Sequence, residues 1–339
     1  MSVASDAKAV KRHRVIHLLL GHGLATVCAL TFALNMALIK LARAEVGPLE
    51  LAAGRFWIAG GLVLVVWLIR GWPKWGDWNA RTWRWVGLGA LATGPGAMIL
   101  LNTGASGVST GMMGLLMATQ ALHLAWMGKL FLGEAVGMRQ ILALAVGFLG
   151  VALPLLAGGE VTYSVWWGPL LIACAAPLAG TGVIVPKASQ ARVKTLDLTT
   201  TLVLIGSIAF LPLMGIRGEF SQYPEIGTTT AVAIAFMGSF GHLGVVLLWF
   251  IAMRRLTAVT AALYLFVLML ASSGWGYVVL SEVPHWSEAV AALIVVAALR
   301  VNAAGGRSAG RGEVEGEFDP LAGGEDPAAA PTMPREGAG

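Results

Sequence analysis

The sequence predicts an all-α polytopic membrane protein whose ten transmembrane helices form two inverted five-helix repeats. Three observations carry that reading. Of 339 residues, 57% are hydrophobic and only 12% are charged, with a mean hydropathy of +0.76. Soluble domains carry about 25% charged residues, so most of this chain faces something other than water. The apolar residues fall into ten runs close to the ~20 residues that cross a bilayer core. Basic residues alternate between the two sides that ten crossings would create.

The first run, 15–39, follows the basic cluster KRHR at 11–14 and precedes Ala42-Arg43-Ala44, a superficial likeness to a secretory leader. Its 25 residues exceed the ~7–15 of a leader's apolar core, so it is read as the first membrane helix. The other runs are 48–69, 84–102, 106–130, 138–157, 165–186, 196–216, 228–251, 256–280 and 286–304. With the N-terminus inside, nineteen of the 23 Lys and Arg lie on the inner side. Lys40, Arg43 and Arg217 lie outside, and Arg55 falls within a span. A wrong helix count would scramble this bias downstream of the error. Both termini are therefore expected in the cytoplasm, with the chain in a bacterial inner membrane.

Between the second and third runs, RGWPKWGDWNARTWR (70–84) interleaves Trp and basic residues, the composition of an anchor at headgroup depth. The region 305–339 is rich in Gly, Ala, Pro and acids and is expected to be a disordered cytoplasmic tail. Cys28 and Cys174 have no metal-ligand spacing and read as small packing residues. No metal and no cofactor are expected. Expected partners are a small-molecule substrate and membrane lipid, not nucleic acid, with a homodimer left open.

Internal similarity sets the domain plan. KLFLGE (129–134) matches YVVLSE (277–282) at an offset of 148, and CALTFALNMALIK (28–40) matches CAAPLAGTGVIVPK (174–187) at nearly the same offset. The chain divides into an N-terminal segment 1–14, a first repeat 15–158, a second repeat 165–304 and the tail. Five crossings per repeat reverse the second copy in the bilayer. Such inverted repeats are a recurring carrier construction, because mirrored halves exchange inward- and outward-open shapes.

The stretch 104–153, with its small-residue turn, Leu132-Gly133-Glu134 and a following helix punctuated by Gly147 and Gly150, resembles an EamA-type repeat of the drug/metabolite transporter superfamily. Arg55 in LAAGRFWIAGG and Lys40 match basic positions of that family. The resemblance covers roughly 15–304 and implies a ten-helix carrier of small metabolites, often outward, with a cavity between its halves. It implies no enzyme and no catalytic residue.

A second resemblance competes with it. Gly104-Ala105-Ser106-Gly107 is similar to the nucleophile turn of rhomboid intramembrane proteases, GHLG (241–244) to their base motif, and Trp83-Arg84 to their first loop. A protease needs nucleophile and base within hydrogen-bond reach. Ser106 and His242 lie 136 residues apart, one beside the turn before the fourth helix and one mid-span in the eighth. Ser106 reads as a turn and N-cap residue of the fourth helix. The alternatives carried forward are thus a rhomboid-like protease and a non-transporting membrane scaffold.

Polar side chains inside a bilayer are costly and become functional candidates by default. Gln120 and His123 share a face of the fourth span; Asn35, His242, Tyr264 and Trp275 lie within the first, eighth and ninth. Together with Arg55 these are the candidate substrate-binding residues. Each has a structural alternative, an interhelical hydrogen bond or, for Arg55, snorkelling to the interface. Glu134, at a helix turn, is expected to cap the following helix. No Asp or Glu falls mid-span, so a facilitator, or a carrier coupled through His123 or His242, is expected.

Overall fold

The computed structural model describes residues 3–106, 108–134, 136–156, 167–189, 192–217 and 226–284, with scattered helical positions between 286 and 298. Among these the chain is helical, with no strand. In order come α1 (Val3–Ala42) and α2 (Pro48–Arg70). Then come α3 (Ala80–Gly104), α4 (Thr110–Leu132) and α5 (Met138–Leu156). Helix α6 (Gly168–Val183) breaks at Ile184 and continues as Val185–Ala188. The last three are α7 (Thr195–Arg217), α8 (Thr228–Met253) and α9 (Ala258–Leu280).

Seven of these, α1 from Leu18, α2, α3, α4, α7, α8 and α9, are long and apolar enough to cross a membrane. The apolar part of α5, Ile141–Gly150, and α6 itself are shorter. The chain is a polytopic membrane protein. The tenth expected run, the tail and the residues near 160 lie largely or wholly outside the described residues.

Local chemistry sets the helix ends. Gly47 and Pro48 open α2, because proline's fixed φ suits the first helical position. Ser109 Oγ accepts from Met112 N at 3.1 Å to start α4, and Thr257 Oγ1 accepts from Thr260 N at 3.1 Å to start α9. The cap of α4 is therefore Ser109 and not Ser106. The Ser106 side chain accepts instead from Arg43 Nη2 at 3.2 Å. At the other ends, Gly133 (φ 66°) closes α4 and Ser281 (φ 56°) closes α9 in the same left-handed conformation.

Helix α9 packs along α1 and both halves of α4, α7 lies against α2 and α3, α6 against α3 and α4, and α8 against α1 and α2. Small residues permit the closest crossing. A Cβ on Gly114 of α4 would sit 1.8 Å from Ser272 Oγ of α9. Cys28 is buried as expected, while Cys174 sits exposed on α6. Rings of Trp67, Trp72, Trp75, Trp83 and Trp78 meet in series, tilted or edge-on to one another. Trp75 Nε1 donates to Thr201 Oγ1 at 3.1 Å, so the aromatic loop also fastens α7.

Two helices carry the same distortion. Wide-turned π segments interrupt α3 at Ala92–Gly96, around Pro95, and α8 at Ser239–Gly244. Their first residues are 147 positions apart. Such bulges insert one residue into the helical ladder and concentrate at functional sites.

The ends of α4 and α9 are clasped to each other's neighbours. Beyond α9, Glu282 pairs with Lys40 at the end of α1, and its Oε2 accepts from Thr110 N at 2.8 Å, the first residue of α4. Beyond α4, Glu134 pairs with Lys187 at 2.5 Å, and its Oε2 accepts from Ala258 N at 2.8 Å, the first residue of α9. Glu134 thus caps α9. Each carboxylate satisfies an orphan N–H and meets the positive end of a helix. The two clasps stand at opposite ends of α4, about 35 Å apart at 1.5 Å per residue.

Candidate functional site

A cavity of about 90 Å3 lies between α1, α2, α3, α4, α6, α7, α8 and α9. Its wall is mostly apolar, from Phe32, Met36, Met98, Leu101, Met117, Val246, Phe250 and Leu268 among others. The polar exceptions are Asn35, Arg55, Thr93, Gln120, His242 and Trp249.

Helix distortions place several of these groups. His242 lies within the π segment of α8 and Thr93 within that of α3. Gln120 follows a break in α4 at Thr119, whose hydroxyl turns back to Leu116 O at 2.6 Å. Asn35 Nδ2 donates to Gly241 O at 2.7 Å, pinning α1 to the distorted stretch of α8. Gly241 must be small there, because a Cβ would approach Asn35 Oδ1 to 2.6 Å. The ring of His242 lies 4.2 Å from that of Phe56, centroid to centroid.

Several polar atoms on the wall have unmet hydrogen bonding. Arg55 is 3% exposed, which rules out snorkelling, and its Nε and Nη1 have no acceptor among the described residues. Asn35 Oδ1, Gln120 Oε1, His242 Nε2 and Trp249 Nε1 are likewise buried without partners. A buried unpaired polar atom costs about 1–3 kcal/mol, and more when charged. Some structural polar residues avoid that cost; the hydroxyl of Ser207, for instance, donates to Phe56 O at 2.7 Å. Others, such as Asn102 with its Oδ1, also leave an atom unpartnered. The cavity groups differ in converging on one enclosed space.

Of the seven candidate residues, Asn35, Arg55, Gln120 and His242 converge on this wall, while His123, Tyr264 and Trp275 do not line it. His123 Nδ1 lies 3.4 Å from Thr119 O within its own helix. Tyr264 shares a 2.7 Å hydrogen bond with His22 Nδ1, joining α9 to α1. Trp275 is half-buried against the core. The sequence reading missed Trp249 and Thr93 on the wall; Trp249 sits in an apolar run, VVLLWFIAM, with nothing to mark it.

The profile of the EamA-like transporter family matches residues 19–156 and again 166–303. The chain belongs to that family. The two matches cover most of the sequence and start 147 residues apart, as do the two π segments. A protein named an uncharacterized transporter, from Archaeoglobus fulgidus, is 24% identical over 261 residues, spanning 76% of this chain and 90% of that one. A solved crystal structure of a protein covers 84% of this chain and 98% of its own, with a TM-score of 0.63 and 21% identity, which shows a shared fold. This EamA-like chain is thus a multi-pass protein of a transporter family. Ser106 is held by Arg43, whereas His242 lines the cavity beside Phe56.

Proposed function

We propose that this chain is a carrier that exports a small metabolite, an amino acid or a derivative of one, by alternating access. Its two five-helix halves are related as inverted repeats, with both termini on the cytoplasmic side of a bacterial inner membrane. The observation that carries the reading is the convergence of unpartnered polar atoms on Asn35, Arg55, Gln120, His242 and Trp249 on one mostly apolar cavity. A ligand that meets those atoms is desolvated on apolar walls and oriented by a few polar contacts, the ordinary design of a small-molecule site.

Supporting the inverted arrangement are features that recur at an offset of 147 or 148 and occupy opposite ends: the helix caps Ser109 and Thr257, the left-handed closures Gly133 and Ser281, and the two clasps. In alternating access the clasp at one end opens while the other holds. The clasp of Glu282 and Lys40 guards the outer mouth, and that of Glu134 and Lys187 the cytoplasmic mouth.

Counterflow in proteoliposomes tests the reading. A compound that raises the melting temperature of the purified protein should exchange across the vesicle at a saturable rate. Binding compounds that never exchange faster than through protein-free vesicles would refute a carrier. Orientation is read separately, with Ser281→Cys and Met138→Cys in a background lacking Cys28 and Cys174. An impermeant maleimide added to intact cells should label position 281 and spare 138; the reverse pattern overturns the stated sidedness.

A further inference from the structure

The charge inside the cavity narrows the ligand. Arg55 is a cation at any physiological pH, and among the described residues no Asp or Glu lines the wall. Among the described residues, both acid–base pairs stand at helix ends, where Glu134 and Glu282 are already engaged with Lys187 and Lys40. The guanidinium therefore sits in a low-dielectric enclosure with no counter-ion and with Nε and Nη1 lacking acceptors. The side-on edge of the planar fork (Nε with Nη2) and its end-on edge (Nη1 with Nη2) thus each keep an unpartnered donor, and either edge can meet the two oxygens of a carboxylate.

From this arrangement we infer that the cavity takes a small organic monocarboxylate, its carboxylate on Arg55 and a hydroxyl or amide N–H of the ligand donating to Asn35 Oδ1 or Gln120 Oε1. The inference rests on the carrier reading and deepens it by naming the substrate class. Net charge decides between related ligands. A monoanion brings the enclosure to neutrality, the favourable state for charge in a low dielectric. A zwitterion leaves the net charge unchanged, and its ammonium finds only amide oxygens where a carboxylate would be needed. A dianion overshoots. Within the amino-acid derivatives, the class is thus one whose amine is replaced by hydroxyl or masked by acylation. The apolar wall, including Met36 and Met117, receives the remaining hydrocarbon.

A matched ligand set on one skeleton tests this: leucine, its α-hydroxy acid analogue, leucinamide and the corresponding hydroxy amide. Binding is measured by calorimetry on the full-length protein in detergent, where flux plays no part. The hydroxy acid should bind at least tenfold more tightly than each of the other three. Arg55→Gln should abolish the preference for acid over amide, and Arg55→Lys, which keeps the charge, should retain part of it. Leucine or either amide binding as tightly as the hydroxy acid in the unmodified protein overturns the inference, whether or not the Arg55 variants fold. So does failure of the hydroxy acid to bind, or an unchanged acid preference in a folded Arg55→Gln protein. Selective binding without counterflow sinks the carrier reading alone; counterflow of leucine indifferent to Arg55→Gln sinks this inference alone.

Discussion

Replacing Glu282 by glutamine gives the sharpest test of how the molecule opens. The amide oxygen of Gln can still accept from Thr110 N, so α4 keeps its cap, but the charge opposite Lys40 is gone. The side chains of Lys40 and Glu282 remain 30% and 24% exposed, which places their pairing within the ~0–1 kcal/mol of solvent-touched ion pairs. The carboxylate at the start of α4 adds about 0.3–1 kcal/mol through the helix dipole. Their sum is about 0.3–2 kcal/mol, a factor of roughly 2–30 in a two-state population. With Met117→Cys as reporter on the cavity wall, and Cys28 and Cys174 replaced by alanine, an impermeant thiol reagent applied from outside should react faster in Glu282→Gln by about that factor. Glu134→Gln should slow the same reaction and speed it from the cytoplasmic side. Adding Lys40→Met to Glu282→Gln should change little, because the two groups act as a pair. If both glutamine variants shift reactivity from one side in the same direction, the clasps are not opposing gates.

Three further outcomes follow from packing and backbone geometry. Gly114→Ala should destabilise the protein by about 1–3 kcal/mol in thermal unfolding, as overpacking does, because its Cβ meets Ser272 and the Met269 backbone; Gly61→Ala, with nothing within 4 Å, should be neutral. Tyr264→Phe should cost about 0.5–1.5 kcal/mol through the lost bond to His22 yet leave ligand affinity unchanged, whereas Trp249→Phe should weaken binding with little effect on unfolding. Ser281→Gly should raise stability by about 0.5–1 kcal/mol, since serine there holds a φ of 56° that glycine adopts without strain.

Much of the architecture was legible because bilayer thickness, basic-residue bias and caps act locally on the chain. Leu132-Gly133-Glu134 and Leu280-Ser281-Glu282 marked two helix ends, and Lys40 and Lys187 two others. Their union into clasps was not legible, since Lys40 meets Glu282 across 242 positions and nothing local ties them. The site was half legible. Asn35, Gln120 and His242 stood out as polar groups in apolar runs, but α9 is apolar on every side, so periodicity gave no warning that Tyr264 turns toward His22. Arg55 could be located in its span but not oriented, and only its burial argues against a snorkelling side chain.

The wide turns in α3 and α8 have a mechanical consequence of their own. A helix that already holds one surplus residue can pass it along the ladder by a single step, turning the stretch between old and new positions by about 100° at 3.6 residues per turn. His242 and Thr93 ride on those stretches. Chamber chemistry can therefore be rewritten by a swivel inside two rods whose outer ends stay moored.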